Sequence, residues 1–199
     1  MLDPSVYEPY FPQTKQICLA SFAAPQEEGL AALLQRLLSQ EGMPTHCPVH
    51  HYIVPAALLT VCRKRQGESV DLLEAELTEA MTRARNVPGG FCGFYGTCGA
   101  AVGLGIFWSI ITGTTPLSAQ TWSFGNRASG EALLKLAEYG GPRCCKRVSW
   151  LTVSGAIDRI NEVFDLHLPA LDEMTCSFYK SNGECLKDHC PYYPKETVK

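Results

Sequence analysis

Seven of the ten cysteines fall where the chain changes direction, and a thiol in such a place can do chemistry that a core thiol cannot. Cys92 and Cys98 stand in "GGFCGFYGTCGAAVGLG", Cys144 and Cys145 follow a Gly-Gly-Pro break, and Cys176, Cys185 and Cys190 occupy the C-terminal tail. The first two pairs lie at expected helix starts, where unpaired N–H groups and the positive end of the helix dipole favour thiolate over thiol. Thiolate is the form that binds metal. Arg143, Lys146 and Arg147 add positive charge around Cys144 and Cys145. They either favour thiolates and any anionic cluster the thiolates hold, or form an ordinary solvated basic turn.

The tail reads "CSFYKSNGECLKDHCPYYP", with cysteines separated by eight and then four residues and Pro191 directly after Cys190. Such a loop can wrap three sulfurs around one centre, and a proline after the last cysteine also occurs in bacterial ferredoxin-type runs. The compact ferredoxin spacing is absent. No pair here shows the two-residue spacing of zinc knuckles, which places zinc below iron–sulfur.

The cofactor ligands read from this pattern are Cys92, Cys98, Cys144, Cys145, Cys176, Cys185 and Cys190, with His51 as a further candidate metal ligand. Seven thiolates exceed the four of one [4Fe–4S] cluster, so either two centres exist or some thiols are spare. The remaining cysteines read differently. Cys18 in an apolar run and Cys62 on a helix face are expected to be small buried hydrophobes, while Cys47, between His46 and His50 in a loop, fits either an exposed or a functional role. His50 and His51 read as hydrogen-bonded structural residues or as members of the site, and His189 as a loop residue.

Gly89, Gly90, Gly93, Gly96 and Gly99 let the loop around Cys92 and Cys98 fold over a bulky inorganic centre and turn N–H groups towards sulfur. Gly99, Gly103 and Gly105 permit close packing of a neighbouring helix. A phosphate cradle is disfavoured, because no strand precedes the loop and no Gly-Lys-Ser/Thr ends it. Phe91, Phe94, Tyr95, Tyr192 and Tyr193 either wall the site from water or anchor loops.

The elements that must position these residues are helical. Residues 25–42 carry Leu30, Leu33, Leu34, Leu37 and Leu38 on one face, with acidic residues in the first turn. A second helix begins near Pro55, or is kinked there, with His50 and His51 at or just before its start, and ends at Arg63, Lys64 and Arg65. A third runs from a Ser69 cap to Asn86. Further helices are expected after Cys98 to about Gly113, from a Thr115 cap with Pro116 at the first position, over 127–139, and from Cys145 through Phe164. With almost no alternating pattern, the fold class is an all-α single-domain bundle of about six helices with an irregular cysteine-rich tail. Residues 1–24, rich in proline, read as an extended N-terminal arm, with "QICLASFAA" a strand or part of that arm. Residues 25–199 form the helical metal-binding domain.

With 46% hydrophobic and 19% charged residues, the 199-residue chain can bury a substantial core. A formal charge of −3 gives no basic excess for nucleic acid. The N-terminus has no signal-peptide pattern, and the most apolar window, "AAVGLGIFWSIITG", is too short to cross a bilayer. A cytoplasmic protein without membrane or nucleic-acid partners is expected, working with a small molecule or a redox protein. In that reducing compartment clustered cysteines bind metal or do redox chemistry rather than form disulfides.

The blocks "CPVHHYIVPAALL", "PGGFCGFYGTCGAAVGLGIFWSIITGTTPL", "GGPRCCKR" and "CSFYKSNGECLKDHCPYY", spanning residues 42–194, resemble a cysteine-rich family of unknown function from anaerobic bacteria and archaea. The resemblance implies an anaerobic, cytoplasmic setting and no particular reaction.

Three functions follow as expectations. The first is an iron–sulfur protein, with redox or sulfur-transfer and desulfuration chemistry in which Cys144 and Cys145 carry or accept sulfur and His50 assists. The second is a structural or sensory zinc–thiolate protein. The third is a metal-free enzyme with a cysteine nucleophile and His50 or His51 as base. No serine-nucleophile elbow, dinucleotide fingerprint or zinc-protease helix is present.

Overall fold

A 14-residue run, Val49–Cys62, is buried on every face, and a helix that is apolar all round belongs at the centre of a bundle. The computed structural model describes residues 2–171 and 174–195. Within them the fold is all-helical, with α1 (Pro4–Tyr7), α2 (Tyr10–Ala23), α3 (Leu30–Leu38), α4 (Val49–Arg65), α5 (Val70–Arg85), α6 (Phe91–Phe94), α7 (Gly99–Ile111), α8 (Trp122–Tyr139) and α9 (Cys145–Phe164). Helix α4 is the central element, packed by α2, α3, α5, α7 and α9. Helix α8 lies outside, against α7 and α9. Ile53, Leu58 and Leu59 of α4 are fully buried, each contributing roughly 1.5–3 kcal/mol through removal from water.

Pro55 lies inside α4, so the carbonyl of His51 has no helical N–H to accept. Helix α7 closes on that spot through Gly103, where a Cβ would stand 2.5 Å from the His51 oxygen and 3.0 Å from Pro55 Cδ. One turn earlier, a Cβ at Gly99 would collide with the His51 ring. The glycine spacing of α7 therefore sets how closely α7, with Cys98 as its N-cap, approaches the histidines of α4.

Three expectations need correction. The N-terminal segment is helical rather than an extended arm. Helix α2 buries Phe11, Thr14, Cys18 and Ser21, a helical spacing masked by two polar members, and Pro12 falls in its first turn, where the missing N–H is no loss. Pro25–Gly29 precede α3 rather than open it, and Glu28 there pairs with Arg36 and accepts from Ser21 Oγ. Thr115 does not cap a helix. It closes a local turn with Ser118 and Leu117, and α8 starts at Trp122.

The tail is held on α9 by aromatic contacts. Trp150 packs against Tyr192 at 5.0 Å and Phe178 at 6.1 Å, and Cys176 N donates to Tyr192 O at 2.7 Å, drawing the two ends of the tail together. The chain leaving α9 is fixed by Asn161, which donates to Leu168 O and accepts from Leu168 N.

Candidate metal centre

Cys144 is the N-cap of α9 and uses its sulfur as the capping acceptor, with Arg147 N donating at 3.5 Å. Asn182 Nδ2 donates to the same sulfur at 3.5 Å. The tail brings Cys176, Cys185 and Cys190 to the same small pocket, closed by Trp150, Phe178 and Tyr179. Each of these three sulfurs also faces the backbone N–H two residues on. Lys187 N donates to Cys185 at 3.4 Å, Phe178 N faces Cys176 and Tyr192 N faces Cys190. Four thiols from a helix start and an irregular tail thus line one pocket, each sulfur beside a backbone donor suited to an anion.

Cys145, the next residue, opens away from that pocket. Together with Cys92, His51 and Arg143 it forms a wall shared by two cavities. One, of about 350 Å³, also takes in Cys98 and His50, and the other, of about 600 Å³, takes in Cys47 and His46. Cys98 faces the N–H groups of Ala100 and Ala101 at the start of α7, and Cys47 those of Val49 and His50 at the start of α4. Cys47 is the member that sequence reasoning left unassigned. The thiols it joins, Cys92 and Cys145, lie 45 and 98 positions away, so only the tertiary fold brings them to it. Among the described residues no group of three or more His, Cys, Asp or Glu side chains is drawn tightly enough to hold a single ion. The thiols line pockets instead of converging on a point.

Of the basic triplet, only Arg143 is solvated. Lys146 and Arg147 are 2% and 3% exposed, and neither has a carboxylate within salt-bridge distance among the described residues. Lys146 Nζ donates to Leu38 O at 2.5 Å and lies over the Phe178 ring. Burial pulls its pKa down to about 8, against the opposing pull of Cys47, Cys145, Cys144 and Cys176. Arg147 donates to Gly140 O and Pro142 O and lines both the tail pocket and the cavity holding Cys98 and Cys145. Two buried cations with thiols as their acidic neighbours call for negative charge on sulfur.

The histidines are held by backbone. His51 Nδ1 lies 3.1 Å from Val87 O and His50 Nδ1 3.0 Å from Cys47 O, so each carries its proton on Nδ1 and keeps its lone pair on Nε2. His50 Nε2 is buried without a partner. Burial lowers the His51 pKa to about 4 and that of His50 well below the ordinary value, which keeps both neutral. His46, unremarked as a ligand, joins the two regions. Cys145 N donates to its Nδ1, while Nε2 faces Glu184 at 3.1 Å and Asn182 Oδ1 at 3.3 Å. His189 is exposed on the 3-10 turn Lys187–His189.

In the ligand-free fold burial raises the thiol pKa of Cys98, Cys145, Cys176 and Cys190, and takes Cys47 to about 11. A bound cation reverses that order, since a coordinating thiol is deprotonated outright and its proton released. Cys18 and Cys62 are buried in the core, as their apolar surroundings predict, and belong to neither group. All ten cysteines are unpaired.

Residues 15–193 match the family of unknown function DUF5714. The chain belongs to that family. The matched region spans every cysteine from Cys18 to Cys190, and with them both thiol groups. No curated protein and no solved structure matches the chain. Among the described residues no helix is long and apolar enough to cross a membrane.

Proposed function

We propose that the protein is an iron–sulfur protein whose Cys144, Cys176, Cys185 and Cys190 hold a [4Fe–4S] cluster for redox chemistry. The observation that carries this reading is that four thiols surround one pocket with a backbone N–H beside every sulfur. A cluster bound by four thiolates carries net negative charge, and buried Lys146 and Arg147 are the counter-charges it needs. When bound, the cluster supplies a one-electron couple. The chain supplies the donors that stabilise charge on sulfur and the aromatic wall of Trp150, Phe178 and Tyr179 that keeps water from it.

Thiols spread around a pocket suit a cluster, whose four thiolates bind four different irons, better than one zinc, whose four donors all lie about 2.3 Å from a single atom, and the free volume of about 10 Å³ in the metal-free fold means that the side chains must part to admit it. A full set of four thiolates leaves no open iron, which favours electron transfer over substrate binding at this centre. The partner is then a redox protein or a small electron acceptor. Ten unpaired thiols and an oxygen-sensitive cluster fit the anaerobic, cytoplasmic setting that the family resemblance implies.

Anaerobic purification followed by a visible spectrum tests the reading. A brown protein whose broad absorption near 400 nm bleaches on reduction with dithionite is the expected outcome, at roughly the wavelength typical of thiolate-bound iron–sulfur clusters. A colourless protein with stoichiometric zinc would overturn it.

A further inference from the structure

The tail pocket uses four of the ten cysteines, and Cys18 and Cys62 are sealed in the interior at 0% exposure, which leaves four more. Cys47, Cys92, Cys98 and Cys145 come from four separate places in the chain: the start of α4, helix α6, the cap of α7 and the first residue of α9. Cys92 and Cys145 line both cavities, Cys98 joins them in one and Cys47 in the other. Cys92 and Cys145 therefore form the wall that links Cys98 on one side to Cys47 on the other.

We infer that Cys47, Cys92, Cys98 and Cys145 hold a second [4Fe–4S] cluster, separated from the first by the single peptide unit between Cys144 and Cys145. This rests on the iron–sulfur reading of the tail pocket and extends it.

The second group repeats the physical features of the first. Cys47 and Cys98 sit at helix starts and face the N–H groups of the first turn, as Cys144 does. Arg147 borders both groups, and Lys146 feels charge from Cys47 and Cys145 on one side and from Cys144 and Cys176 on the other. A buried cation between two anionic clusters lowers their mutual repulsion. His50 adds an independent mark of a ligand, because its Nε2 is sealed from water and has no partner while the residue borders the cavity of Cys98 and Cys145. A buried polar atom without a partner is costly unless something is meant to lie beside it.

The glycine-rich loop has a role here that a purely structural element does not need. Gly90 and Gly96, both at positive φ, bracket Cys92 and allow the loop to fold over a bulky centre. Consecutive ligands to two clusters also give electrons a short route. The Cα atoms of adjacent residues are ~3.8 Å apart, so the clusters stand on opposite sides of one dipeptide.

The test is anaerobic reconstitution of the full chain with ferrous iron and sulfide, then counting both. About eight irons and eight sulfides per chain are expected, falling to about four in the C47S/C92S/C98S variant and also to about four in C176S/C185S/C190S. Four irons in the unaltered chain, lost only in the tail variant, would overturn the second cluster and leave the first standing. Absence of iron in every form would overturn both. Where a triple variant fails to fold, electron paramagnetic resonance of the dithionite-reduced unaltered chain decides. Each cluster then takes one electron, and two neighbouring clusters give a spin-coupled spectrum that a lone cluster cannot.

Discussion

Cys144 and Cys145 are consecutive, yet their thiols serve different pockets. Cys144 caps α9 and faces the tail thiols, while Cys145, one position into the helix, faces Cys92 and the glycine-rich loop. Successive helix positions are rotated by about 100°, which is enough to send adjacent side chains to opposite sides of a helix start.

Replacing either residue therefore has separable effects. Cys144→Ser is expected to remove the iron bound at the tail, and Cys145→Ser to leave that iron in place. Iron analysis of the two variants beside C185S checks this. With both made in the C47S/C92S/C98S background, where only the tail iron remains, equal loss in C144S and C145S would contradict the division.

Lys146 and Arg147 are the charges between the groups. In Lys146→Met the metal-free protein is expected to be as stable as the parent or more so, because a desolvated cation is replaced by an apolar chain. The cluster potential should move negative by on the order of 50 mV, close to a tenfold change in a one-electron equilibrium. Redox titration followed by absorption measures it, and an unchanged potential would remove Lys146 from the account.

Close approach of α7 to α4 is tested through glycine. Gly99→Ala and Gly103→Ala force a Cβ into the His51 ring and the His51 carbonyl and are expected to cost about 1–3 kcal/mol each. Gly130→Ala, in the middle of α8 with nothing within 4 Å of the new carbon beyond its chain neighbours and the helix's own backbone, should stabilise by roughly 0.5–1 kcal/mol. Denaturant midpoints of the three variants give the comparison.

Burial raises Cys18 and Cys62 to about 12 each from an ordinary 9.0. A thiol whose folded pKa is raised binds more protons in the folded than in the unfolded state across that interval. Stability is therefore full below pH 9 and falls as pH rises towards 12, by up to about 4 kcal/mol per thiol. Native alkylation at pH 8 should leave these two cysteines unmodified, and Cys18→Ala or Cys62→Ala should flatten the alkaline part of the stability profile.

The all-helical class was legible because α3, α5 and α9 carry apolar residues at helical spacing and α4 carries Ile53, Ala57, Leu58 and Val61 towards a basic last turn. Helix α2 escaped notice because Thr14 and Ser21 dilute its buried face. The false start at Thr115 arose because a turn closed by Thr115 and Ser118 uses the same residue types as a helix cap. Among the thiols, spacing marked the tail and the helix starts. It did not place Cys47 or divide Cys144 from Cys145, since both depend on how α4, α6 and α9 meet in space.

The most direct measurement is iron and sulfide content, after anaerobic purification, of the unaltered protein and of C176S/C185S/C190S. The account expects a difference of about four irons and four sulfides per chain between them. Identical iron content in the two, or zinc in place of iron in the unaltered chain, would contradict it.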